Sequence, residues 1–129
     1  MRIWVRRAYE APTRNDGYRI LVDRVWPRGV SREDLELDEW DRDLAPSTKL
    51  RKWFDHDPAR WEGFQRRYFD ELRRKKDPIR RLLDRIRRGR VTLVFGARDT
   101  DHNQAVALRT FLEKRASRDG GGRRGDVDQ

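Results

Sequence analysis

The segment VTLVF at residues 91–95 constrains the fold more than any other part of the chain. Four of its five side chains are apolar, and β-branched and aromatic residues of this kind favour strands. Because the run lacks polar alternation, both of its faces need cover from other parts of the chain. We therefore expect residues 91–95 to form the centre of a parallel sheet.

Helix signals surround this strand. Residues 57 to about 75 place Trp61, Phe64, Tyr68 and Leu72 at steps of three, four and four, which is one apolar face of a helix. Two further helices are predicted at about 78–88 and 102–115. Capping side chains predict where the helices begin, and a left-handed glycine predicts one end. These residues are Ser31, Ser47, Asp57, Asp77, Asp101 (in a capping box with Gln104) and Gly89.

Strands are predicted near the N-terminus, at residues 2–7 and 18–23, and a short strand or extended loop at 36–43. Together with the later helices they predict an α/β fold, a small three-layer sandwich with a mostly parallel central sheet and several flanking helices. A single domain is expected over residues 1–115. Residues 116–129 are rich in Gly, Arg and Asp without periodicity, so we expect a disordered tail.

Composition excludes several kinds of site. The chain has no cysteine and two histidines, so disulfides, thiolate nucleophiles and cysteine-ligated metals are excluded, and we expect no metal and no cofactor. No phosphate-binding glycine loop or dinucleotide fingerprint is present. The N-terminus lacks the apolar stretch of a signal peptide, and no run suits a membrane span, so we expect a cytoplasmic protein without membrane contact.

The string DRVWPRG at residues 23–29 is the main candidate site. It follows a predicted strand, and ligands of open α/β sheets bind where strands end. Arg24 and Arg28 suit a phosphate or carboxylate, and Trp26 suits a ring. Asp23 is a candidate for proton transfer. The alternative is structural: Asp23 pairs with an arginine, and Trp26 belongs to the core.

A second candidate site, RDTDHN at residues 98–103, follows the central strand. Asp99 and His102 are candidates for an acid–base pair, and Asn103 for a ligand contact. At the start of a further predicted helix, Ser47 and Thr48 are candidates for holding an oxyanion, with a plain helix cap as the alternative.

The basic charge of the chain is concentrated in one segment. The net charge is +9, and residues 73–90 contain ten basic and two acidic side chains. This pattern is typical of a solvated helix face, and it also fits a surface for nucleic-acid phosphates. The candidates for that surface are Arg80, Arg81, Arg85, Arg87 and Arg88.

Four segments resemble the YeaO-like branch of the uncharacterised-domain family DUF488. They are DGYRILVDRVWPRG (16–29), LDEWDRDLAPSTKLRKWF (37–54), RWEGFQRRYFDEL (60–72) and VTLVFGARDTDHNQAVALRTFL (91–112). The resemblance covers about residues 1–115 and implies a small bacterial α/β protein. It carries over no catalytic residue.

Three functions remain open at this point. The first is binding of a small phosphorylated or nucleotide-like anion at the strand ends, with or without turnover. The second is an accessory role in nucleic-acid binding through the basic helix. The third is a non-catalytic interaction module. The sequence does not determine the oligomeric state.

Overall fold

A four-stranded parallel sheet organises the molecule. The computed structural model describes residues 3–127, with side-chain surroundings described to residue 117. Within this range the strands are β1 (Ile3–Arg7), β2 (Tyr18–Leu21), β3 (Glu39–Trp40) and β4 (Val91–Phe95), in the spatial order β1-β4-β2-β3. All five residues of β4 are buried, and β1 and β2 pair with it on either side. The predicted central strand and α/β class are confirmed.

Four helices cover one face of the sheet. They are α2 (Thr48–Phe54), α3 (Trp61–Arg74), α4 (Lys76–Arg88) and α5 (Gln104–Val127). Their apolar sides enclose the strand residues Ile20, Val91, Leu93 and Phe95 in one core. The predicted stripe on α3 is confirmed, since Phe64, Tyr68 and Leu72 are buried and Trp61 packs at the edge of this core.

The opposite face has thinner cover. The short helix α1 (Arg32–Leu35) lies there with loop residues, and Leu21, Val94 and Leu35 form a second apolar cluster with Trp26 and Trp40. Beside it, the buried Arg19 guanidinium donates to Asp16 Oδ2 at 2.7 Å and to the Leu35 carbonyl. The third layer is therefore partly polar.

Local capping signals were right at some helix ends and wrong at others. Ser31 and Ser47 cap α1 and α2, and Asp57 caps a single 3₁₀ turn (Pro58–Arg60) that leads into α3. The prediction for Asp77 was wrong, because α4 already begins at Lys76. Gly89 ends α4 with φ 161°, which is extended backbone, so the left-handed cap predicted there was also wrong.

None of the helices within residues 3–127 combines the length and the apolar character needed to cross a bilayer. The backbone of α5 is helical to Val127. The single domain over 1–115 and the disordered tail over 116–129 stay predictions.

Candidate functional site

The two candidate segments meet at one edge of the sheet. Strands β2 and β4 are parallel neighbours, with Leu21 opposite Val94, so the loops that follow them leave the sheet side by side. Asp23 Oδ2 accepts a hydrogen bond of 2.8 Å from the Gly96 backbone N–H, which ties the two loops together. A Cβ on residue 96 would lie 2.9 Å from the same carboxylate oxygen, so a larger residue there would displace the Asp23 side chain.

A cleft of about 450 Å³ opens beside this contact. Its walls come from the loop after β2, the end of α2, the loop after β4 and the first turn of α5. The sequence candidates that line it are Asp23, Arg24, Trp26, Arg28, His102 and Asn103. The structure therefore brings six of the candidate residues, from two distant segments, to one cleft, while Asp99, Ser47 and Thr48 do not line it.

Four cationic side chains surround the cleft: Arg24, Arg28, Arg51 and Lys52. None of them forms an ion pair with a carboxylate among the residues with described side chains. Arg24 Nε and Nη2 approach only the Pro46 carbonyl, at 3.4 Å each. Arg28 is exposed. The Tyr9 hydroxyl donates to the Arg28 backbone carbonyl at 2.9 Å, and this bond does not involve the guanidinium. The guanidinium and ammonium groups thus remain available to an anion.

Asp23 lies in the cleft as a half-buried carboxylate. Burial raises the pKa of Asp23 to about 6, although hydrogen bonds from Gly96 and Gln104 and the positive charge of Arg51 oppose the rise. The ion pair with an arginine that was the structural alternative for Asp23 is absent from the described contacts, and its carboxylate accepts instead from two neutral donors. A carboxylate with a pKa this close to neutrality in a cleft is a mark of functional sites.

His102 is held in place by Asp99. Its Nδ1 lies 2.9 Å from Asp99 Oδ2, and its backbone N–H donates to Asp99 Oδ1 at 2.9 Å. Hydrogen bonds from the Asp101 and His102 backbone and from the His102 ring lower the pKa of Asp99, so this carboxylate is ionised and His102 donates to it from Nδ1. The imidazole Nε2 is then the ring nitrogen left for a ligand. Asp99 does not line the cleft, and it orients the His102 ring through Nδ1.

Asn103 and Ser47 act as helix caps, and of Asn103, Ser47 and Thr48 only Asn103 lines the cleft. Asn103 caps α5, accepting from the Val106 backbone N–H at 3.0 Å and donating to the Asp99 carbonyl at 2.9 Å. The capping box predicted for Asp101 and Gln104 was therefore wrong. Ser47 caps α2 and donates to Glu71 Oε2 at 2.6 Å, while Thr48 is exposed, and neither residue lines the cleft.

Trp26 combines both roles considered for it. Its ring packs edge-on against Trp40 with centroids 5.4 Å apart, and its Nε1 donates to the Val30 carbonyl at 2.6 Å. It is nevertheless half-buried and lines the cleft. Trp26 and Trp40 are both partly accessible to solvent. Complete burial of the two rings would have favoured a pure interaction module.

Several cleft residues were not among the ligand-site candidates of the sequence analysis: Tyr9, Arg51, Lys52, Asp55, His56 and Gln104. From the sequence, Arg51 and Lys52 are typical of the solvent-facing side of a short helix. They lie at the sheet edge because α2 packs against α3. Gln104 carried a detectable signal, because it lies in the first turn of the helix predicted after the central strand.

The basic helix α4 has a mixed surface. Arg80 and Arg87 pair with Asp77 and Asp84, at 3.1 and 2.7 Å. Arg81, Arg85 and Arg88 border a hollow that also contains Glu39 and Asp41. Acidic side chains are thus interleaved with the arginines. No group of three potential metal ligands occurs in the described part of the chain.

Comparisons with known proteins agree with the resemblance found in the sequence. The chain is 41% identical to the uncharacterised protein YeaO of Escherichia coli K12 over 112 residues, which is 87% of this chain and 97% of YeaO. It is 37% identical over 114 residues to the uncharacterised proteins Rv3073c of Mycobacterium tuberculosis H37Rv and Mb3100c of Mycobacterium bovis, covering 88% of this chain and 96% of each relative. No solved structure matches.

Residues 2–126 match the family model DUF488-N3i, which is described as the inactive DUF488-N3 subclade. The expected DUF488 and YeaO-like relationship is confirmed over nearly the whole chain. Because the family model covers residues 2–126 and the relatives align over almost their full length, this chain belongs to the DUF488-N3i family.

Proposed function

We propose that the cleft at the ends of β2 and β4 binds a small anion, such as a phosphorylated or nucleotide-like molecule, without converting it. One observation carries this proposal: Arg24, Arg28, Arg51 and Lys52 surround one cleft, outnumber its two carboxylates, Asp23 and Asp55, and form no salt bridge with any described acidic side chain. Arginine forks bind phosphate and carboxylate with paired, charge-assisted hydrogen bonds.

The absence of turnover is supported by the residues of the cleft and by the family. No serine, threonine or cysteine lines it, so it offers no aliphatic hydroxyl or thiol nucleophile, and the Tyr9 hydroxyl donates to the Arg28 carbonyl. The matching family is described as an inactive subclade. Asp23, Asp99 and His102, predicted as proton-transfer residues, are here assigned to binding: Asp23 and His102 meet the ligand, and Asp99 positions His102.

Arg28→Gln tests the proposal, with inorganic phosphate as the probe in isothermal titration calorimetry. We expect the variant to bind phosphate about tenfold to a hundredfold more weakly, because a hydrogen bond between charged groups contributes about 1.5–3 kcal/mol. Its thermal unfolding should match that of the wild type, since the Arg28 side chain is exposed.

Arg74→Gln is the matched control, because Arg74 is also exposed but lies at the end of α3, outside the cleft. Its affinity for phosphate should equal that of the wild type. Wild-type protein that binds no phosphate, or equal affinity in the two variants, would contradict an anion site here.

Nucleic-acid binding through α4 has less support. A polyanion is attracted by uncompensated positive charge, and two of the five candidate arginines are paired with aspartates on their own helix. The other three share their hollow with acidic side chains.

A further inference from the structure

The cleft has an apolar wall as well as a cationic one. Val25, Trp26, Pro27, Pro46, Phe54 and Phe64 contribute to its lining. Phe54 and Phe64 stack with ring centroids 4.5 Å apart and are buried, so they back this wall from the core, while Val25 and Trp26 provide its accessible surface. Val25 is 58% exposed, so its side chain is accessible to a ligand in the cleft.

The size of the cleft also exceeds what a simple inorganic anion needs. Its volume of about 450 Å³ lies in the range of pockets that enclose whole organic ligands. Phosphate alone would leave the apolar wall in contact with water, and that contact is unfavourable.

Asp23 gives an independent indication. Its carboxylate lines the same cleft as the cations, where a bare anion would be repelled by it. A ligand that carries an N–H or O–H donor on its ring has a favourable group to place next to Asp23. The acid therefore fits an organic ligand better than a mineral one.

We propose that the ligand is an aromatic organic anion, with its ring against the accessible side chains of Val25 and Trp26 and its acidic group among the arginines. This inference rests on the proposed function, since it names the class of anion that the same cleft takes. A phosphate or a carboxylate on the ring would meet the cations in the same way.

The experiment compares three probes that share a phosphate group: inorganic phosphate, methyl phosphate and phenyl phosphate. Calorimetric titration of the full chain should give about tenfold or more tighter binding of phenyl phosphate than of methyl phosphate, because only the phenyl ring covers the apolar wall. The two esters carry the same charge, so the ratio of their affinities isolates the ring.

Trp26→Leu tests where the ring lies. We expect this variant to lose at least about threefold of the preference for phenyl phosphate, with little change for methyl phosphate. Trp4→Leu is the control, because Trp4 is 49% exposed on the edge strand β1, away from the cleft. If Trp26→Leu does not fold, nuclear Overhauser contacts between the phenyl protons and the Val25 methyl groups in the wild type decide the question.

The outcomes separate the two proposals. Equal affinity for methyl and phenyl phosphate would overturn the aromatic ligand and leave the anion site standing, as would phenyl protons with no contact to Val25. If none of the three probes binds, the anion site itself is refuted. Tighter binding of phenyl phosphate that Trp26→Leu reduces and Trp4→Leu leaves unchanged would establish both.

Discussion

The ionised carboxylate of Asp23, at the cleft, lowers the stability of the folded protein. Asp23 has a pKa raised mainly by burial, from 3.8 to about 6. Between these two values the folded state binds more protons than the unfolded state, so the free energy of unfolding falls as the pH rises through this window. An ionised Asp23 therefore costs the fold about 3 kcal/mol at neutral pH.

Asp23→Asn should raise the free energy of unfolding by about 1–2 kcal/mol at pH 7.5. The gain is smaller than the whole cost of the ionised carboxylate, because the amide of Asn replaces one acceptor oxygen with a donor. Below pH 3.8 both side chains are neutral, so the difference should disappear. Urea unfolding at pH 7.5 and 3.5 measures this, and Asp101→Asn, an exposed change in the loop after β4, should stay within about 0.5 kcal/mol of the wild type at both values. A variant that is less stable at pH 7.5 would contradict the strain assigned to Asp23.

At the scale of elements, helix ends fix the walls of the cleft. Helix α2 supplies Arg51, Lys52 and Phe54, and its first turn is held by Ser47, which accepts from the Leu50 backbone N–H at 3.1 Å and binds Glu71 of α3. The loss of an N-cap costs about 0.5–2 kcal/mol. The Ser47 hydroxyl thus serves the helix, and no described contact directs it to the cleft.

Ser47→Ala should lower the free energy of unfolding by about 1–2 kcal/mol, because it removes both the cap and the partner of Glu71. Thr48→Ala is the matched change one residue along, at an exposed position, and should stay within about 0.5 kcal/mol of the wild type. Chemical denaturation of the two variants gives the comparison. Equal stabilities, or a loss of phosphate binding in a well-folded Ser47→Ala protein, would favour the predicted oxyanion role over the structural one.

The whole molecule has two unlike layers on its sheet. One face carries a large apolar core under four helices, while the other combines a small apolar cluster with a buried polar network. In that network Asp16 accepts from Thr13 and from Arg19, and Thr92 donates to the Asp16 carbonyl at 2.7 Å. Burial by itself would raise the pKa of Asp16, but the hydrogen bonds from Thr13 and Arg19 outweigh it and the pKa is lowered.

Asp16→Asn should destabilise the protein by about 3–5 kcal/mol, because it leaves the Arg19 guanidinium, 4% exposed, without a counter-charge. Asp70→Asn, which removes an exposed pair with Arg73, should cost less than about 0.5 kcal/mol. Thermal and urea unfolding distinguish the two. A small effect of Asp16→Asn would show that water reaches Arg19, contrary to its burial. Since the pKa of Asp16 is lowered, its contribution should be present at neutral pH and fall as the pH drops toward the folded-state pKa.

The amino-acid sequence by itself determined the central strand at residues 91–95, the apolar stripe of α3, the caps at Ser31 and Ser47, and the candidate string after β2. These depend on interactions between residues close in sequence, so a single chain read in order contains them. The predicted caps at Asp77 and Asp101 were wrong because each helix begins at a nearby position. Helix α4 already includes Lys76, and Asn103 caps α5.

Only the tertiary structure decided the strand order and the composition of the cleft. Residues 23 and 104 are 81 positions apart, and no periodicity links them, yet Gln104 donates to Asp23. Arg51 and Lys52 reach the cleft because α2 packs on α3, and Arg19 is buried because Asp16 and two backbone carbonyls satisfy its guanidinium. Such placements depend on contacts between distant segments, and the burial of a charge depends on partners that the local sequence does not reveal.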